Sequence, residues 1–288
     1  MHRFRIGGPV ILLLSLIALA MSIGCGAARK ASPPEDRNAR GALDDGLRAL
    51  ESGQTDSALA LFTEALDLEP TLAEAHYNRG LCRQKRNEQV LAVLDYTEAI
   101  RLRPDFSEAL NNRGAARFEI GEVDLARDDW EAVLALHPDS AQVHFNLGRY
   151  YAEKRQWNRA VIQYGEALAQ VSEFPRALNG RGIALLRAGR PEEALEDLNR
   201  AVGMDPSRSL YLYNRGVVHE ALDEYAEALS DYTRAVELDP SLGPAYLNRG
   251  LLYQRLGSKD LGCMDLGQAC ELGLCDRYRQ MQRMSECP

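Results

Sequence analysis

One tripeptide, Asn-Arg-Gly, returns along this chain at a fixed interval and limits what the chain can fold into. It stands at residues 78–80, 112–114, 214–216 and 248–250, with degenerate copies at 44–46, 146–148 and 180–182. The glycines fall at positions 46, 80, 114, 148, 182, 216 and 250, so each step is 34 residues and none of the seven copies carries an insertion. A period of this length marks an array of stacked supersecondary units. Length alone, 288 residues, would suggest one or two globular domains. The repeat overrides that reading, because a solenoid grows in one dimension and needs no single large core.

Numbering each unit so that its glycine is position 8 gives units 39–72, 73–106, 107–140, 141–174, 175–208, 209–242 and 243–276. Position 20 is then Ala58, Ala92, Ala126, Ala160, Ala194, Ala228 and Gly262, and position 27 is alanine except at Val133. Position 24 is large: Phe62, Tyr96, Trp130, Tyr164, Leu198, Tyr232 and Leu266. Position 32 is Pro70, Pro104, Pro138, Pro206 and Pro240, with Ser172 and Leu274 as exceptions. Within each unit, apolar residues recur at three- and four-residue spacing in two stretches, the helical period. A break falls near position 15, where Gly53, Gly121, Gly189 and Gly257 stand. Small residues at 8, 20 and 27 let two helices approach, the large residue at 24 fills the space beside them, and proline at 32 stops the second helix. Each unit reads as a helix-turn-helix that must stack on its neighbours to bury its apolar face.

This pattern of Gly at 8, Ala at 20, an aromatic at 24, Ala at 27 and Pro at 32 resembles the tetratricopeptide repeat over residues 39–276. The Trp usual at position 4 is replaced by Ala42, His76, Leu110, His144, Leu178, Leu212 and Tyr246. The resemblance implies an all-α, right-handed superhelical α-solenoid of about seven units, with residues 277–288 as a C-terminal capping helix. It says much less about function, which resides in sites rather than folds.

Two positions vary together. Position 7 is Arg79, Arg113, Arg181, Arg215 and Arg249, and position 23 in the same five units is Asp95, Asp129, Asp197, Asp231 and Asp265. Both letters are lost together in unit one (Asp45, Leu61) and in unit four (Leu147, Gln163). Positions 7 and 23 are symmetric about the break, so antiparallel helices bring them level. The expectation is one structural Arg–Asp ion pair inside each of five units.

In this family the first helices line a concave groove through positions 2, 5, 6, 9, 12 and 13. Position 6 supplies Asn78, Asn112, Asn146, Asn214 and Asn248, with Asp44 and Gly180 as exceptions. A row of amides can pair with a peptide backbone whatever its sequence, as in the asparagine ladder of protein O-GlcNAc transferases, which this row resembles. Equally, these amides can bond a neighbouring helix. Position 5 adds Tyr77, Asn111, Phe145, Asn179, Tyr213 and Leu247, and aromatic anchors suit peptide recognition. Arg149, Arg176 and Arg187 mark units four and five, whereas Glu74, Glu108 and Glu119 mark units two and three. The carboxylate clamp of chaperone-binding members is absent, since position 2 reads Arg40, Glu74, Glu108, Gln142, Arg176, Leu210 and Pro244.

The formal charge is −8, and Arg3 and Arg5 are the only formal charges before residue 25, so the remainder is more acidic still. That argues against a nucleic-acid binder, which needs a basic stripe. The five histidines (His2, His76, His137, His144, His219) form no HExxH pair, and no Walker loop, GxSxG or paired-cysteine redox motif occurs. No cofactor, metal site or catalytic group is expected.

The start reads as an export signal over 1–24: basic His2, Arg3 and Arg5, an apolar run from Val10 to Ala20, then small residues. That run is short for a membrane span, which takes about 20 residues. Ser22-Ile23-Gly24-Cys25 resembles the bacterial lipoprotein box, with Ser22 where Leu or Val is usual. The resemblance implies lipidation of Cys25, and Gly26 in place of Asp points to the outer membrane. Residues 25–38 are polar with a Pro33-Pro34 pair and read as a flexible tether.

Cys82 falls inside a first helix and reads as a small core residue. Cys263, Cys270, Cys275 and Cys287 crowd the end, and in an exported protein such a cluster reads as disulfides. Cys263 and Cys270 on one helix lie about 10.5 Å apart along its axis, beyond disulfide reach. Cys263 or Cys270 with Cys287 would staple the last helix onto unit seven. The functional expectation is a lipid-anchored scaffold that holds partner proteins or extended peptides in its groove. The alternative is a substrate-targeting or regulatory subunit for an envelope enzyme in another chain.

Overall fold

The computed structural model describes residues 38–284 and Cys287. The expected signal, Cys25 and all but the last residue of the tether lie outside the described residues. The first helices of the seven units are α1 (Ala39–Glu51), α3 (Ala73–Lys85), α5 (Ser107–Glu119), α7 (Ala141–Glu153), α9 (Pro175–Arg187), α11 (Ser209–Ala221) and α13 (Gly243–Arg255). The second helices are α2 (Thr55–Leu68), α4 (Gln89–Leu102), α6 (Val123–Leu136), α8 (Trp157–Gln170), α10 (Pro191–Met204), α12 (Tyr225–Leu238) and α14 (Lys259–Glu271), and α15 (Asp276–Arg283) follows. No strand occurs among the described residues, and no described helix is long and apolar enough to cross a membrane.

Every first helix ends the same way. The residue at position 15 takes positive φ: Gly53, Asn87, Gly121, Arg155, Gly189, Asp223 and Gly257. Its N–H bonds the carbonyl three residues back, and the next N–H reaches five back, as in Gly53 to Leu50 and Gln54 to Ala49. This pair of bonds satisfies carbonyls that the helix end would otherwise leave orphaned. Asn and Asp tolerate the left-handed region, but Arg155 pays for it sterically.

Inside each unit the glycine at position 8 lies against the large residue at 24. A Cβ on Gly114 would sit 2.6 Å from Trp130 Nε1, and one on Gly80 would sit 2.7 Å from the Tyr96 ring. Phe62, Tyr96, Trp130 and Tyr232 are fully buried as a result. Cys82 is also fully buried, and burial pushes its thiol up to about 11.

Each first helix packs on its own second helix, and each second helix packs on the next first helix. First helices of adjacent units also touch directly, as α7 does α9 and α9 does α11. Closer spacing on that side places the first helices on the inner wall of the curve.

At the C-terminal end, Cys263 is joined to Cys287 with Cα atoms 5.4 Å apart, and Cys270 to Cys275 across the α14–α15 turn. Of the two partners open to Cys287, the structure takes Cys263, and Cys270 closes a short local loop. The cap itself is shorter than the expected 277–288: it is helical over Asp276–Arg283, and Cys287 then folds back onto α14. None of the α15 residues is buried.

Candidate functional site

The inner wall is built on the ion pairs. The five arginines at position 7 each meet the aspartate at position 23 of their own unit. Arg113 Nη2 lies 2.6 Å from Asp129 Oδ1, Arg79 Nη2 lies 2.8 Å from Asp95 Oδ1, and Arg215 Nη2 lies 2.7 Å from Asp231 Oδ1. Arg181 and Arg249 approach Asp197 and Asp265 through Nε at 2.6 and 2.7 Å. Each guanidinium uses two nitrogens, the geometry that suits a carboxylate. All five aspartates are buried, and the bond to aspartate holds Arg181, Arg215 and Arg249 above the usual arginine range.

Three features of this network were not read from the sequence. Arg83 Nη1 and Arg117 Nη1, both at position 11, add second contacts of 2.9 and 2.8 Å to Asp95 and Asp129. Arg113, Arg215 and Arg249 also donate to Thr97, Asn199 and Thr233 of the preceding unit, so each pair ties two units together. In unit four, His144 Nδ1 meets Gln163 Oε1 at 2.9 Å in place of the missing pair.

The asparagines at position 6 form rungs. Asn112 Nδ2 donates to the Tyr77 hydroxyl at 3.3 Å, Asn146 to Asn111 Oδ1 at 3.1 Å, Asn214 to Asn179 Oδ1 at 2.8 Å and Asn248 to the Tyr213 hydroxyl at 3.4 Å. Each rung therefore joins position 6 of one unit to position 5 of the unit before, 35 residues back. Where position 5 is Phe145, which has no acceptor, the next unit carries Gly180 instead of asparagine. A Cβ at Gly180 would lie 2.7 Å from the Tyr164 ring. Asn78, for which position 5 of the preceding unit is Leu43, turns back to its own helix and donates to the Glu74 carbonyl at 2.7 Å.

Of the two roles open to these amides, the geometry gives one bond of Asn112, Asn146, Asn214 and Asn248 to the neighbouring unit. Asn78, Asn146 and Asn214 are buried, so they do not offer themselves to a partner as a free ladder. Phe145 is buried too. Arg176 from unit five lies 5.3 Å over its ring and Phe174 packs beside it at 5.0 Å. The expected aromatic anchor at this point is thus core. What the rungs do is fix the residues at position 5. Tyr77 and Tyr213 remain half-buried on the inner wall, as do Asn111, Asn112, Asn248 and Arg149. Burial raises both tyrosine hydroxyls, so they stay protonated at neutral pH and can donate. Tyr77 is also braced against Phe106 with ring centroids 4.8 Å apart.

No group of His, Cys, Asp and Glu that could hold a metal ion occurs among the described residues.

A family model described as tetratricopeptide repeat matches five overlapping stretches, residues 43–105, 91–141, 112–177, 145–209 and 179–243. No curated protein matches the chain. A crystal structure of a tetratricopeptide repeat protein from Parabacteroides merdae superposes with a TM-score of 0.67 at 18% identity, over 85% of this chain and 97% of that one. The Pseudomonas aeruginosa protein pilF gives 0.64 at 18% identity over 74% and 97%. YrrB, whose structure is described as a tetratricopeptide protein with an unusual peptide-binding site, gives 0.52 at 22% identity over 64% and 95%. At these identities the likeness is one of fold.

Proposed function

The chain belongs to the tetratricopeptide-repeat family, and from that premise we propose that it is a non-catalytic scaffold that binds an extended segment of a partner protein along its inner wall. The observation that carries this is the row at position 5. Tyr77, Asn111, Asn179 and Tyr213 are each pinned from behind by an asparagine of the next unit. Side chains held this way lose little entropy when a partner arrives, which favours affinity. They present aromatic groups in units two and six and amide groups in units three and five to an elongated ligand. A peptide-binding site is also described for YrrB, which shares this fold.

We place the scaffold at the bacterial envelope, exported by residues 1–24 and held by lipid on Cys25, with a preference for the outer membrane. The support is the signal-like start and the lipoprotein-like box, together with a cysteine cluster that forms two disulfides at the other end.

Site-specific photocrosslinking in cells tests the groove. A photoreactive residue in place of Tyr77 or Tyr213 is expected to trap a partner protein, and one in place of the outward-facing Leu125 is not. Adducts of equal yield from both faces would overturn the groove reading. A hydrolase or transferase among the adducts would select the version in which this chain guides an enzyme. Incorporation of labelled palmitate, expected to vanish in Cys25→Ser, tests the anchor.

A further inference from the structure

Residues 149–190 carry eight arginines and lysines against three glutamates, in a chain of formal charge −8. Part of this basic island is neutralised: Arg181 pairs with Asp197, Arg190 with Glu193 and Lys154 with Asp124. Arg149, Arg176 and Arg187 have no such partner. They sit at positions 9, 2 and 13 of units four and five, on the inner-wall helices α7 and α9. Position 9 is Leu47, Leu81, Ala115, Ile183, Val217 and Leu251 in the other units, so Arg149 breaks the array's own apolar pattern. Such local departures mark functional positions in otherwise consistent sequences.

Aromatic rings support two of these arginines. The Arg149 guanidinium lies 4.7 Å from the Phe118 ring centre, and that of Arg176 lies 5.3 Å from Phe145 and 5.6 Å from Phe174. A guanidinium resting on a ring keeps its in-plane N–H donors free. Those donors match a carboxylate in a two-point fork. Arg187 is exposed and acts electrostatically on Tyr213, the next aromatic along the wall. The acidic inner-wall residues alongside are few: Glu153 is exposed on α7, and Glu220 is engaged by the Tyr232 hydroxyl.

We infer that units four to six take an acidic segment of the partner protein, with its carboxylates on Arg149, Arg176 and Arg187. This inference rests on the groove reading above and adds the chemistry of the ligand. Charge complementarity decides for an acidic peptide over a nucleic acid. Three cationic side chains spread over α7 and the two ends of α9, within an acidic body, are not the continuous basic stripe a phosphate backbone needs.

The test uses the full chain and fluorescein-labelled dodecapeptides that alternate leucine with glutamate, glutamine or lysine, read by fluorescence anisotropy. The glutamate peptide is expected to bind at least about tenfold more tightly than the glutamine peptide, a difference that raised salt erases. Arg176→Ala with Arg187→Ala should lower glutamate-peptide affinity to the glutamine level. Both side chains are exposed, so the fold should be retained, as an unchanged thermal melt would show. Arg187→Glu should shift preference toward the lysine peptide. If glutamate and glutamine peptides bind equally and Tyr213→Ala weakens both, the inference fails while the groove reading survives. If none of the peptides binds, both fail. Tighter binding of an oligouridylate or of phosphatidylglycerol vesicles, lost with the same arginines, would also overturn it.

Discussion

Asp129 faces more positive charge than a single Arg–Asp pairing asks of it. Its oxygens meet both Arg113 and Arg117 in a site where the aspartate is almost fully buried. Such a cluster contributes little net stability while complete, because desolvation offsets attraction, but losing the carboxylate leaves two guanidinium groups without their counter-charge. Asp129→Asn is therefore expected to cost about 3–5 kcal/mol. Asp197→Asn, which releases the single and more exposed Arg181, should cost less. Urea unfolding of the two variants checks the order; equal losses would mean that Arg117 contributes nothing to the site. Arg155 poses the opposite case. Its φ of 54° is one that a side chain bearing a Cβ adopts at about 1–2 kcal/mol, and four other units place glycine there. Arg155→Gly removes that cost and adds some unfolded-state freedom. The net expectation is a gain of about 1 kcal/mol, read as a raised thermal midpoint.

The same contrast between local and cross-unit constraint decides what could be read before the structure. Helix positions, the glycine–aromatic contact and the Arg–Asp pairing are legible because each depends on residues of one unit. The pairing stands out because both letters vanish together in units one and four. The rungs are illegible in a unit-by-unit reading because their partners lie 35 residues apart, one position out of register with the repeat. Only the joint occurrence of Phe145 and Gly180 hints at them. Phe145 is likewise covered in part from the next unit, where Arg176 lies over its ring. Among the elements, α15 is the one that packing does not explain. A helix of eight residues with none buried is too short to persist alone, so its place on α14 depends on the two disulfides around it. Reduction with dithiothreitol is expected to raise backbone hydrogen exchange over residues 259–284 while protection in α1 to α11 stays unchanged. Exchange that remains slow across α15 after complete reduction would show that side-chain packing suffices to hold it.

At the scale of the whole molecule, the substantial contacts join helices of the same unit or of adjacent units. Stability is then a sum of unit terms and nearest-neighbour interfaces rather than the property of one core. A lesion in the middle should consequently divide the stack. Gly114→Ala is suited to this, because its Cβ would meet Trp130 2.6 Å away with neighbouring ring atoms at 2.9 and 3.0 Å. Overpacking of this kind costs about 1–3 kcal/mol, charged first to unit three and then to its joints with units two and four. Units one and two would be left as a short stack open at one end, while units four to seven keep the disulfide-bound cap. The expected result is loss of exchange protection across residues 39–140, with residues 175–255 close to the parent protein, and a urea transition that separates into two steps. A control in Gly203→Ala, where nothing lies within 4 Å of the added Cβ, should instead gain about 0.5–1 kcal/mol through helix propensity and unfold as the parent does. A single transition with uniform loss of protection in Gly114→Ala would show that the interfaces outweigh the units, so that the array unfolds as one body. In the split state, retained binding of the glutamate peptide would place the proposed acidic-segment site on the surviving side, where Arg176 and Arg187 lie.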